Sequence, residues 1–241
     1  WSTKGKQLVL GLRSGEIAQL PPEGEAKARL AAPPEAGRPL YVEDVLWLEN
    51  HVFLVTYNTV SDELTHEYDV YVVLRDAKAQ SCTYAQFPLD VAPPFGDTSR
   101  RGTRYLAALR AWDKEKHLVF IASGPSTDVG VIECKADAAG VAAWNVLELE
   151  DTSRPALPFS SVDESSDTSP VALALDLTAT EPIADPNAAA KGEDPAATLP
   201  ATPILLVYTS DGVLLAYNVI NADAKDAYPG MVHATQGAAQ G

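Results

Sequence analysis

The chain has little cysteine: Cys82 and Cys134 are the two in 241 residues, and they fall in strand-like runs with no ligand-type spacing. That argues against a disulfide framework and against a zinc site. No Asn-x-Ser/Thr sequon occurs either, and both absences suit a reducing intracellular compartment. No apolar run approaches the roughly 20 residues that cross a bilayer, so membrane insertion is not expected. Basic charge is scarce, with 18 Lys+Arg against 33 Asp+Glu and a formal net charge of −15. Such a surface repels the phosphate backbone that a nucleic-acid binder must neutralise, so direct RNA or DNA binding is not expected. It favours a basic partner instead, or serves solubility alone.

Catalytic signatures are missing as well. His51, His66, His117 and His233 are scattered without a Cys or His partner at metal spacing, so no metal or cofactor is expected. No nucleophile elbow, phosphate-binding glycine loop or zinc-protease helix pattern is present, and Gly11–Gly15 is too short for a nucleotide cradle. Glu148, Glu150, Asp151, Asp163 and Glu164 could in principle supply a glycosidase pair, but they fall in an acidic stretch that reads as a solvated face. No catalytic residue is assigned.

What the chain does have is 46% hydrophobic content, enough for a substantial core, arranged in a recurring phrase. Each copy runs strand, tryptophan-bearing turn, strand, tight Gly or Asp turn, strand. The copies begin at Trp1, Asp44 and Tyr105, and a fourth is split between Val171–Leu177 and Pro203–Asn218. In the second copy Glu49-Asn50 interrupts the apolar run where the chain must reverse, and Val52–Tyr57 supplies the β-branched and aromatic residues of a buried strand. Ser210-Asp211-Gly212 and Arg13–Glu16 read as tight hairpins. Trp47 and Trp112 occupy equivalent places and are expected to pack between repeats. Repeated short strands without helices indicate an all-β, WD-like β-propeller, a scaffold that usually binds other proteins.

Loops punctuate these repeats. Pro21-Pro22, Pro33-Pro34 and Pro93-Pro94 cannot continue a ladder and mark strand ends. The divisions expected are blade remnants at 1–34, 40–92, 103–158 and 170–220, a flexible insertion at 178–202, a partial propeller over 1–230 and a linker or tail at 231–241. With about 40 to 45 residues per blade, this length holds three to four blades, fewer than a closed ring requires, and a fragment is expected.

The order of five segments is more specific than any one of them: Trp1–Gly11, Asp44–Asn50, Ala122–Ile132, Leu147–Pro158 and Thr209–Asn221. Together they resemble the N-terminal β-propeller of the large cytoplasmic-face nucleoporin of fungi and animals, over Trp1 to about Gly230. The resemblance implies the later blades of a seven-bladed ring. It also implies a non-enzymatic docking platform at the cytoplasmic face of the nuclear pore complex, recruiting a DEAD-box RNA helicase for mRNA export. Contacts with other nucleoporins would use regions absent here. Helicase surfaces that hold RNA are basic, which matches the acidic balance, and competition between RNA and the propeller would promote RNA release. Partner binding is expected in exposed segments at blade junctions: first Glu35, Arg38, Tyr41, Glu43 and Asp44, then Asn218, Ile220, Asn221 and Asp223. The alternative is a generic WD-like scaffold for another basic protein or an extended peptide.

Overall fold

The stretch Val52–Thr59 is β-branched or aromatic at most positions, the composition of a strand covered on both faces, and residues 53–58 are all buried. It belongs to one of four larger antiparallel sheets, beside which stands a two-stranded one. A computed structural model describes residues 1–2, 4–37, 39–59, 68–88, 90–95, 102–112, 117–136, 142–221, 224 and 226–232 of the chain. The first sheet holds β1 (Leu8–Gly11), β2 (Ile17–Leu20) and β3 (Ala28–Leu30), and a 3-10 turn at Pro34–Ala36 follows. The second, in spatial order, is β4 (Leu40–Glu49), β5 (Val52–Thr59), β6 (Tyr68–Asp76) and β7 (Ser81–Gln86). The third is β8 (Arg104–Leu109), β9 (His117–Ser123), β10 (Gly130–Ala136) and β11 (Ala142–Val146). The last begins with β12 (Pro170–Asp176), then leaves the sheet for β13 (Ile183–Ala184), α1 (Ala188–Lys191) and β14 (Thr198–Leu199). It returns as β15 (Ile204–Thr209) and β16 (Leu214–Asn218), giving the order β12-β15-β16.

The turns follow the local chemistry. Asn50-His51 closes a hairpin in which Glu49 faces Val52, and Gly15 and Gly212 take φ of +81° and +85°, the left-handed conformation that tight turns demand and that glycine adopts without steric cost. Fourth strands β7 and β11 extend the second and third sheets beyond the three-strand phrase visible in the sequence.

Three hydrophobic clusters form the seams between neighbouring sheets. Ile17 and Leu30 meet Trp47, Phe53, Val55 and Tyr71 across the first seam. Leu48, Leu54 and Val72 meet Val119, Ile121 and Ile132 across the second. Leu109, Phe120 and Val131 meet Leu205 and Val207 across the third. Trp47 is 4% exposed and lies in the first seam, and Trp112 packs against Tyr228 at 5.5 Å at the edge of the third. Each seam is sheet on sheet, the packing from which a propeller is built.

Polarity within the ring follows from the contacts between sheets. β8 runs alongside β4, since Arg110, just past its end, donates to Trp47 O near the end of β4 at 2.8 Å. β1 runs against β4: Val42 N–H, near the start of β4, donates to Leu12 O just past the end of β1. β1, β2 and β3 therefore correspond to the second, third and fourth strands of the complete sheets. β12, β15 and β16 correspond to the first three. The four sheets do not close into a ring.

Two of the expected divisions gain structural detail. Residues 178–202 are not featureless: β13 pairs with β14, and Asp185 N–H donates to Ala197 O. Ala188 and Leu199 are buried. The sequence hid this because alanine and proline give no apolar periodicity. The packed domain also runs past 230. Met231 is 7% exposed and Val232 N–H donates to Leu177 O at 2.7 Å, so these two residues belong to the fold. Residues 233–241 lie outside the described set, as does His66.

Candidate partner-binding surfaces

Tyr41, Glu43 and Asp44 were expected in a connection ahead of a strand, but β4 begins at Leu40 and holds all three, half-buried, in its first half. Alternation in a strand would put Val42 and Asp44 on one face. A bulge breaks it: Val42 pairs with Tyr57 and Asp44 with Thr56, leaving Glu43 as the extra residue, and such bulges re-aim side chains at rims. Asp44 Oδ1 accepts the Val45 N–H at 2.7 Å. Burial pushes the Asp44 carboxyl above its ordinary value, the Val45 N–H works in the opposite direction, and the Glu43 charge adds to the rise. The guanidinium of Arg13 stands 5.8 Å from the Tyr41 ring. Glu35 lies in the 3-10 turn just ahead of this strand, with its side chain outside the described set; Arg38 lies outside it altogether.

The second predicted segment is at the opposite end of the ring. Asn221 lines a groove of about 240 Å³ with Trp112, Pro200, Pro203, Val219 and Tyr228, next to the end of β8 and hence on the side of Trp47. Tyr228 Oη donates to Arg110 O at 2.5 Å, which seats the ring against Trp112. Asn218 is exposed and accepts a hydrogen bond from Thr202 Oγ1 at 3.2 Å. Ile220 is half-buried, and Asp223 lies outside the described residues. The ten-residue β4 alone spans about 30 Å, so the two segments form separate surfaces. Proline and aromatic groups put together from α1's neighbourhood, the end of β8 and the C-terminal segment could not be joined by sequence spacing. The groove was missed for that reason.

His117 carried no assignment in the sequence, yet it ties two sheets together. Its Nε2 is 2.6 Å from Glu49 Oε1, and Nδ1 accepts the Ala111 N–H at 3.3 Å. Its ring stacks with Trp144 at 6.2 Å. Burial pushes the neighbouring Cys134 thiol up to about 11, so this cysteine is an inert core residue at neutral pH. Among the described residues no group of three His, Cys, Asp or Glu is placed to hold a metal ion, and no described helix is long and apolar enough to cross a membrane.

Comparison with known proteins matches these features. The family model for the NUP159/214 beta propeller covers residues 1–214. The chain is 35% identical to nucleoporin nup146 of Schizosaccharomyces pombe over 93% of its own length and 17% of that protein. It is 32% identical to nuclear pore complex protein Nup214 of Homo sapiens over 92% of its length and 10% of that protein. It therefore spans a small part of the relatives it matches. Among solved structures, the N-terminal domain of Nup159 superposes with a TM-score of 0.58 at 20% identity, over 87% of this chain and 52% of that one. A structure of S. cerevisiae Dbp5 bound to Nup159, Gle1, IP6 and ADP matches with the same TM-score at 19% identity and the same coverage of both chains. The unclosed array of antiparallel sheets, the seams between them and these matches have one reading: the chain belongs to the NUP159/214 β-propeller family of nuclear pore complex nucleoporins.

Proposed function

We propose that this propeller is a non-enzymatic docking platform that holds a DEAD-box RNA helicase at the cytoplasmic face of the nuclear pore complex during mRNA export. The observation that carries the reading is Asp44. Its carboxylate is kept half-buried at a bulged rim beside Glu43, where desolvation and like charge both disfavour ionisation, and a fold retains such a group at the expense of stability where function uses it. Paired with the surplus of 33 acidic over 18 basic residues, that rim complements a basic surface. A solved complex of Dbp5 with Nup159 supplies the partner class. Glu35, Arg38, Tyr41, Glu43 and Asp44 form the helicase-facing set in this reading.

The test is charge reversal. Glu43→Lys with Asp44→Lys should weaken helicase binding by about tenfold or more and flatten its salt dependence, measured by titration calorimetry at two ionic strengths. Unchanged affinity with unchanged salt dependence would remove this rim from the interface.

A second reading rests on the other end of the ring. The groove lined by Trp112, Tyr228, Pro200, Pro203 and Asn221 has the aromatic lining that takes an extended peptide, so a scaffold for another basic protein or peptide would use the segment that holds Asn218, Ile220, Asn221 and Asp223.

A further inference from the structure

The loop ahead of β1 and the β4–β5 hairpin enclose a second concavity of about 320 Å³ whose lining is unlike the rest of this acidic chain. It is walled by Ser2, Lys4, Lys6, Gln7, Asn50, His51 and Arg75, floored by Gln19 and Trp47, and among the described residues its lining holds no carboxylate. In a protein with 33 Asp+Glu and 18 Lys+Arg, a pocket lined by hydrogen-bond donors and several cations is a local inversion of charge. We propose that it binds a small, multiply charged phosphoanion.

Four features support a built site. The loop is fixed by its own hydrogen bonds: Lys6 and Gln7 N–H groups both donate to Ser2 Oγ at 3.1 Å, and Ser2 N–H donates to Gln7 O at 2.8 Å. This holds the two lysines on one short turn. Neither Lys4 nor Lys6 makes an ion pair with a described residue, whereas Arg29, Arg104, Lys135, Arg154 and Lys191 all do. Arg75 is oriented by Gln19, a side chain on a residue only 2% exposed, whose Oε1 accepts from Nη1, and its backbone N–H donates to His51 O. The guanidinium's remaining donors stay available for a ligand.

The carboxylates adjacent in sequence are spent elsewhere. Glu49 is engaged by His117. Asp76 accepts the N–H groups of Ala79 and Lys78, which chiefly hold its carboxyl below the ordinary value, with the nearby His51 adding to the effect. His51 is thus shared with Asp76, and Lys4, Lys6 and Arg75 are the principal cations. A planar fork beside two ammonium groups suits a phosphoryl group: the fork can take two oxygens together and the lysines act as point charges. The volume has room for more than one such group.

Inorganic pyrophosphate is the probe, titrated calorimetrically into the 241-residue chain at fixed ionic strength, with sulfate and inorganic phosphate in parallel arms. Saturable one-to-one binding is expected, tighter for pyrophosphate than for phosphate or sulfate. The Lys4→Ser, Lys6→Ser double variant should weaken it by about tenfold per lysine, and the Lys4→Arg, Lys6→Arg variant should retain it. Both lysines are exposed, so the melting temperature of either variant should match the parent chain and exclude misfolding as the cause. Absence of saturable binding, equal binding of sulfate, or pyrophosphate affinity unchanged by the serine substitutions would each overturn the assignment.

Discussion

Single side chains settle several questions of stability here, and Arg104 is the clearest. Its side chain is 0% exposed. Nη2 donates to both Asp90 oxygens at 2.9 and 2.8 Å, Nη1 donates to Ala92 O at 3.1 Å, and the guanidinium lies 4.4 Å from the Tyr68 ring centre. A buried pair adds little over an apolar replacement, but breaking one side strands a charge. Asp90→Ala should therefore cost about 3–5 kcal/mol in urea unfolding, and adding Arg104→Met should recover part of that loss. An unchanged midpoint in the single variant would contradict the role given to the pair. Asp211 works in the other direction. It accepts Thr209 Oγ1, Ser161 N–H and Ser161 Oγ, with the Thr209 bond first among the causes that bring its carboxyl from 3.8 to about 2. Asp163, held chiefly by the Ser166 hydroxyl, falls to about 2 as well. A carboxyl lowered by folding stabilises above its unfolded value and loses that contribution as pH falls through the folded one. Stability should fall between about pH 4 and pH 2, and Asp211→Asn should flatten part of that slope in urea midpoints measured across the window. A slope untouched by the substitution would contradict the assignment.

Among elements, β10 shows how closely neighbouring sheets are set. A Cβ on Gly130 would stand 2.0 Å from Val91 O, where backbone from the loop after β7 crosses the start of the strand. Gly130→Ala should cost about 3 kcal/mol or more, since the clash is with backbone that cannot rotate away. Gly24→Ala, at φ +96° with nothing within 4 Å of a Cβ, should cost only about 1–2 kcal/mol from the left-handed conformation. Chemical denaturation of the two variants separates steric crowding from backbone conformation. Comparable losses would refute the crowding argument.

Which elements were legible follows from the same physics. β5 and β9 are continuous apolar runs, and Ser210–Gly212 and Arg13–Glu16 carry turn chemistry, so all four announce themselves. Strands β7 and β11 did not show, because their outer positions are half-exposed and their sequences, Ser81–Gln86 and Ala142–Val146, mix polar with small residues. Tyr41, Glu43 and Asp44 looked like a connection because polar residues at the rim of an inner strand break the apolar alternation. The bulge at Glu43 then lets the strand continue. The cationic pocket was invisible for a different reason: Lys4, Gln19, His51 and Arg75 come from four segments that only the fold brings together.

At the scale of the whole molecule, the two ends of the array differ in charge and in lining. The start of β4 presents Glu43 and Asp44; the end of β4 faces the cationic pocket, and the aromatic groove lies at that same end. On the side of the fourth sheet away from the third seam, the paired residues Tyr208 and Leu214 are 44% and 60% exposed. With Leu206 and Ile204 on the same face, they form an apolar surface of the kind that neighbouring sheets cover elsewhere in the ring. On the proposed function the two ends would serve different partners: an acidic rim suits the basic RNA-holding surface of a helicase, while the pocket proposed at the other end suits anions.

If the rim docks a helicase as proposed, the rim and RNA compete for one basic surface. Helicase affinity for the 241-residue chain, measured by titration calorimetry with and without saturating single-stranded RNA, tests it directly. Binding should weaken at least about tenfold when RNA is present and weaken as salt rises; equal affinity in both conditions, or a ternary complex with RNA still bound at full occupancy, would rule the competition out.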